Sequence, residues 1–256
     1  MTMDSSNQVI LKSADEIGLM RKAGRVVGET LQELAEQVRP GADVRDLNTY
    51  VERKYERLGV IPTFKGYQGY PDVVCVSINE QLVHGIPSSR ILQEGDIVSI
   101  DLGATVEGFV GDSAITVGCG FISDEAQRLI DVARNALWAG IHAARDGVRK
   151  GDIGAAIQEV IETAGYGLVR NYVGHGVGRE MHEPPQMPNY GNAGTGMRMR
   201  SGMVIALEPM VTAGRPETFV HDDGWTVSTK DGCLSAHFEH TIALGRGEAE
   251  VLTLPG

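Results

Sequence analysis

Asp101, Asp112, His175, Glu208 and Glu239 stand in apolar or glycine-rich stretches, where a free charge would be expensive. Asp101 ends a run that begins at Asp96, Glu208 follows Met203 to Leu207, and Glu239 interrupts the stretch from Ala236 to Ile242. All three stretches read as buried strands. An unpaired carboxylate there would be driven to take up a proton, so ionised acids need cations close by. No run of Lys or Arg lies beside them in sequence. Two divalent metal ions would set four positive charges against four carboxylates, with a neutral imidazole completing the shell. The charge arithmetic predicts a dinuclear metal site.

His175 sits among Gly174, Gly176 and Gly178, which let the backbone approach closely. A glycine-rich phosphate loop is the competing reading, but no P-loop pattern follows. His84 and His182 each precede a proline-bearing turn, and their residue types alone leave them open between function and ordinary surface or core positions. His142, His221, His237 and His240 have no local context that sets them apart, and Glu94, Glu107, Asp222 and Asp223 read as solvated turn residues. No Gly-x-Ser-x-Gly elbow, His-Glu-x-x-His helix or Cys-x-x-Cys pair is present, which sets aside serine hydrolases, mononuclear zincins and zinc ribbons. Cys75 lies in an apolar strand and reads as a structural or pocket-lining thiol.

The elements that must position these groups are visible in the pattern. Ser13 and Glu16 have capping-box spacing, and apolar residues from Ile17 to Val38 follow at helical intervals. A second helix is predicted from near Asp43 to Gly59, a third from about Asp124 to Arg145, and a fourth from about Asp152 to Ala164, stopped by Gly165. Asp101 and Asp112 flank the turn at 106–109, so a hairpin sets them near one another. Shifting the chain by 106 residues aligns Asp46 with Asp152 and Gly59 with Gly165, and a shift of 107 lays Asp101 on Glu208. An internal duplication is the expectation, each half bringing an acidic strand to a shared midline.

Composition bounds the rest. A chain of 256 residues, 42% hydrophobic and 22% charged, fits one large soluble domain over residues 13–256, preceded by a loosely ordered extension at 1–12. No apolar stretch approaches the roughly 20 residues that span a bilayer, and the first residues lack the pattern of a secretion signal. Three widely separated cysteines fit a reducing compartment, so the cytoplasm is expected. A net charge of -11 opposes nucleic acid as a specific partner and favours peptides or small molecules.

These acids and histidines, together with Gly66 to Pro71, Ser77 to Glu80, His84 to Pro87, Gly174 to Gly178, Ile205 to Met210 and Phe238 to Thr241, closely resemble the type I methionine aminopeptidases over residues 13–252. The resemblance implies an α+β pita-bread fold with an internal pseudo-twofold duplication. It implies removal of the initiator methionine from nascent polypeptides, with a small second residue preferred. Asp101, Asp112, His175, Glu208 and Glu239 become the metal ligands, Asp112 and Glu239 bridging, for two ions drawn from Mn, Fe, Co, Ni and Zn. Glu208 doubles as proton acceptor, His84 falls near the scissile nitrogen and His182 near the carbonyl oxygen. Phe64, Tyr67, Tyr70, Cys75, Met181 and Trp225 become the methionine pocket with the two histidines, Phe64 and Met181 departing from residues common at those places. N-terminal Met-peptides are the implied substrates of a monomer, with the ribosome a candidate partner. Proline-specific peptidases of the same fold are the enzyme alternative; they usually carry a further amino-terminal domain, whereas the first helix here begins by residue 14. A non-catalytic binding protein of this fold is the other alternative, though such proteins tend to lose ligands that this chain retains.

Overall fold

The computed structural model describes residues 8–256. Of the extension expected over residues 1–12, positions 1–7 lie outside the described residues. The chain then forms α1 (Ala14–Gln37), α2 (Val44–Leu58), β1 (Ile61–Pro62), β2 (Cys75–Ile78), β3 (Gln81–Val83), β4 (Ile97–Val106) and β5 (Phe109–Gly118). The second half supplies α3 (Asp124–Ala143), α4 (Lys150–Thr163), β6 (Gly167–Leu168), β7 (Gly174–Gly176), β8 (Glu183–Met187), β9 (Val204–Leu207) and β10 (Met210–Thr212). It continues through β11 (Thr218–Val220), β12 (Val227–Thr229), β13 (Ser235–His237), β14 (Glu239–Ala243) and β15 (Glu250–Val251).

Local chemistry explains the helices. Ser13 and Glu16 cap the first turn of α1 reciprocally, Asp43 accepts from Arg45 N–H at the start of α2, and Gly59 ends α2 in the left-handed region. The fourth helix begins two residues before its expected start, at Lys150. Its first amides are met by an opposing loop, where Lys150 N–H donates to Met197 O and Gly151 N–H to Thr195 O.

A nine-stranded antiparallel sheet runs β1-β4-β5-β14-β9-β7-β8, with β2 also on β4 and β15 on β14. Around the β5/β14 seam the order β2-β4-β5 is mirrored by β7-β9-β14, and each arm is preceded in sequence by its own helix pair. This is the duplication expected from the shifted alignment. Each helix pair packs its own core: α1 and α2 with Val74, Ile100 and Leu102, and α3 and α4 with Ile205, Leu207 and Ile242. At the first interface α1 lies unusually close to β5, since a Cβ on Gly111 would stand 2.6 Å from Gly24 N. The residue thus clamped to the helix immediately precedes Asp112.

Hydroxyls sew the seam. Register there consists of Glu239 opposite Ala114 and His240 opposite Ser113. Thr241 Oγ1 accepts from Asp112 N–H at 3.1 Å and donates to Asp112 O at 2.7 Å, Ser113 Oγ donates to Glu239 O, and Thr116 Oγ1 donates to His237 O. Among the described residues, no helix is long and apolar enough to cross a membrane.

Candidate metal and active site

Strand register gathers the acids. Cys75 lies opposite Asp101, Asp101 opposite Ala114, and Ala114 opposite Glu239. One step beyond the pair His240–Leu207, the same antiparallel register sets Glu239 against Glu208. Directly opposed residues share a face, so these side chains form one row across the sheet, with the small Ala114 leaving open space between Asp101 and Glu239. Asp112, opposite Gly103, occupies the neighbouring row on that face.

Two details differ from the sequence expectation. Asp101 sits inside β4 rather than at the end of its strand. The stretch around Glu239 is two strands broken at Phe238, because β13 pairs with β10 in a small second sheet while β14 pairs with β9 and β5. The chain makes the same change of sheet at Glu208-Pro209, between β9 and β10. Both glutamates therefore stand where the backbone leaves one sheet for another.

His175, on β7, faces this cluster. One ligand atom each from Asp112, His175 and Glu239 all lie within 4.8 Å of one another. His175 Nε2 is 3.5 Å from Glu208 Oε1 and 4.0 Å from Asp112 Oδ2. Its Nδ1 is 3.0 Å from the carbonyl of Gly176, which can only accept, so the ring proton resides on Nδ1 and the Nε2 lone pair points at the acids. Burial, with His182 adding to it, holds the imidazole neutral by lowering its pKa to about 3. Burial also raises Asp101, Asp112, Glu208 and Glu239, with further upward pressure on Asp101, Glu208 and Glu239 from their acidic neighbours. Asp101 Oδ1, Asp112 Oδ1 and Glu239 Oε1 are buried without a hydrogen-bond partner. A lone pair and orphaned carboxylate oxygens converging on one space suit a divalent cation and little else.

A cleft of about 1070 Å³ opens beside the row, lined by Phe64, Tyr67, Tyr70, Cys75, His84, Met181, His182 and Trp225 as well as the acids. Tyr70 stands edge-on to both Phe64, at 6.4 Å, and Trp225, at 5.2 Å, and its hydroxyl is shared between the carbonyls of Val74 and Gly85. Burial raises the Cys75 thiol, so it stays protonated and apolar. His84 holds φ +60°, a strained setting for a side-chain-bearing residue. Burial, and then His182, lowers its pKa to about 4. His182 stands at the exposed rim of the cleft, its Nδ1 2.7 Å from the Tyr67 hydroxyl.

Three residues passed over in sequence also belong here. His237 is buried with neither ring nitrogen bonded, Nε2 lying 3.9 Å from Glu208 Oε2; its place two residues before Glu239 was the available signal. Asn189 donates through Nδ2 to Glu208 O at 3.0 Å. Asp223 is the exposed turn residue expected, but its carboxylate also accepts from Trp225 N–H and Thr226 N–H, both at 2.8 Å, and so fixes the backbone that carries the indole into the pocket wall.

A twofold-repeated antiparallel sheet whose halves contribute acids around one buried imidazole defines an α+β protein built to hold divalent metal. Residues 18–246 match the model of metallopeptidase family M24. Methionine aminopeptidase 1 of Bacillus subtilis is 47% identical over 245 residues, covering 96% of this chain and 99% of that relative. The crystal structure of a methionine aminopeptidase from Thermotoga maritima superposes with a TM-score of 0.95 at 45% identity, over 96% of this chain and all of that one. A prolidase from Pyrococcus horikoshii gives 0.76 at 23% identity, over 96% of this chain and 64% of its own, a likeness of fold alone. The chain belongs to metallopeptidase family M24, and its architecture is the pita-bread fold of that family.

Proposed function

We propose that this protein is a methionine aminopeptidase that removes the initiator methionine from new polypeptides, preferring a small second residue. The observation that carries the reading is the unprotonated Nε2 of His175 facing orphaned carboxylate oxygens, beside an aromatic pocket with a buried thiol. The names of the relatives direct it to methionine.

Asp101, Asp112, His175, Glu208 and Glu239 would hold two divalent ions, with Mn, Fe, Co, Ni and Zn all suited to such oxygen-rich sites. Bound there, the ions would acidify water and polarise the scissile carbonyl. Phe64, Tyr67, Tyr70, Cys75, Met181 and Trp225 pack the thioether of the first residue. Glu208 takes the proton of the attacking water and passes it to the leaving amide nitrogen, near which His84 stands. His182, whose Nδ1 lies 2.7 Å from the Tyr67 hydroxyl, offers an Nε2 proton to the carbonyl oxygen as negative charge develops, in the tautomer for which that hydroxyl donates to Nδ1. The reaction belongs to the cytoplasm, on nascent chains at the ribosome, with the enzyme a monomer.

His182→Ala tests the assignment, with an expected loss of ~10² to ~10³ in turnover and metal retained. Near-normal kcat would contradict it. Glu208→Gln should hold metal weakly and turn over negligibly, and activity at full metal loading would remove Glu208 as the base. Comparing Met-Ala-peptides with X-Pro-peptides separates this reading from a proline-specific one.

A further inference from the structure

Lys12 lies two residues before α1, yet its side chain is only 4% exposed and its Nζ is 2.6 Å from Glu183 Oε2, on a side chain 7% exposed. The backbone fixes its approach, since Lys12 N–H donates to Gly202 O at 2.7 Å, and Nζ also donates to Ile10 O. Removing both charges from water is expensive, and a well-packed apolar pair would serve stability as well or better. Such a pair calls for another use, and Glu183 supplies one.

Glu183 immediately follows His182. Its Oε1 accepts from Arg179 N–H at 2.9 Å and Glu180 N–H at 3.3 Å, so one carboxylate closes residues 179–183 into a compact loop. Met181 and His182 ride on that loop. Gly178, at its start, lies so close to the carboxylate that a Cβ there would collide with it, while Gly178 O accepts from Val110 N–H two residues before Asp112. Tyr67 fixes the His182 ring from the opposite side through Nδ1. The ring's tilt is thus set by Tyr67, and the height of its backbone above the row of acids is set by Glu183.

We infer that Lys12 is a positioning residue whose ammonium pins Glu183, and through it the 179–183 loop, so that His182 meets the scissile carbonyl. The inference rests on the reading of His182 as oxyanion donor. It makes the segment ahead of the first helix part of the active-site machinery, and Val9 of that segment already borders the cleft.

The test is a mutant cycle on the metal-loaded protein with a Met-Ala-Ser peptide. Lys12→Met should lower kcat roughly ten- to a hundredfold, the scale of an ångström-sized misplacement, with a smaller rise in KM because Met181 shares the loop, and with metal content held. Lys12→Arg keeps the charge and should restore most of the turnover. The double variant Lys12→Met/Glu183→Gln removes the uncompensated charge and so remains foldable; its kcat should stay low, and a return to wild-type turnover would reduce Lys12 to charge balance and overturn the inference. Added to His182→Ala, the double variant should cause no further loss, because both act through one group; multiplied losses would also overturn it. A readout free of activity completes the test. In chelated protein the His182 imidazole 13C–1H resonance should move in the double variant and hold its place in Lys12→Arg, and an unmoved resonance in the double variant refutes the tether. Normal turnover in His182→Ala alongside a moved resonance would leave the tether standing and remove the oxyanion role instead.

Discussion

Stripping the metal should turn this protein's stability into a falling function of pH above about 6.5. A carboxyl with a raised folded pKa lends stability that is complete below its unfolded value and is lost as pH climbs through the folded one. A buried imidazole with a lowered pKa does the reverse, stabilising above its unfolded value and failing as pH falls. Asp101, Asp112, Glu208 and Glu239 form the first set, and His84, His175, His237 and His240 the second, lowered from 6.5 to about 4, 3, 3 and 4 by burial. Below about 6.5 the two sets oppose each other. From there the imidazole contribution fades over about one pH unit as the unfolded histidines lose their protons, and the carboxyls dominate. Each one still protonated in the fold then removes about 1.4 kcal/mol per pH unit. Asp112, raised from 3.8 to about 7 by burial, has cost roughly 4 kcal/mol once fully ionised. Urea unfolding of chelated protein at intervals from pH 6.5 to 8.5 should therefore show a steady fall, and excess divalent cation should abolish it, because the ions bind the ionised acids. Chelated protein whose stability is flat or rises across that range, or whose slope is the same with and without metal, would refute the reasoning.

Other substitutions probe the supports of the site. Gly111→Ala drives a methyl into the backbone of α1 at Gly24, so the helix must back away from β5; a loss of about 1–3 kcal/mol in denaturant melts is expected, with metal affinity falling as Asp112 shifts. Asp223→Ala releases the amides of Trp225 and Thr226, which should raise KM for Met-peptides more than it lowers kcat in steady-state kinetics. Asn189→Ala frees the Glu208 carbonyl at the sheet crossover and should weaken metal retention in a competition titration against a chelator.

Much of this is legible in the chain itself. The acids announced themselves because a carboxylate closing or interrupting an apolar run has few ordinary explanations, and the four helices followed from caps and apolar spacing. Residues whose meaning comes from distant partners were less legible. His237 looks like any strand histidine until β13 sets it beside Glu208, and Asp223 looks like any Asp-Gly turn until its amide contacts are seen to steer Trp225. Lys12 carries no local mark at all, since its partner is 171 residues away. The break at Phe238 was hidden because an unbroken apolar stretch does not say which sheet each half of it will join.

The seam between β5 and β14 has a consequence for how such a chain can change over generations. Each copy of the repeated unit keeps its own helices and its own core, and within those it is free to drift. Along the midline that freedom ends, because a hydroxyl on one side answers a carbonyl on the other and the acids of both sides border one space. A substitution there in either copy therefore bears on its sibling as well, whereas one inside a copy's own core bears chiefly on that copy.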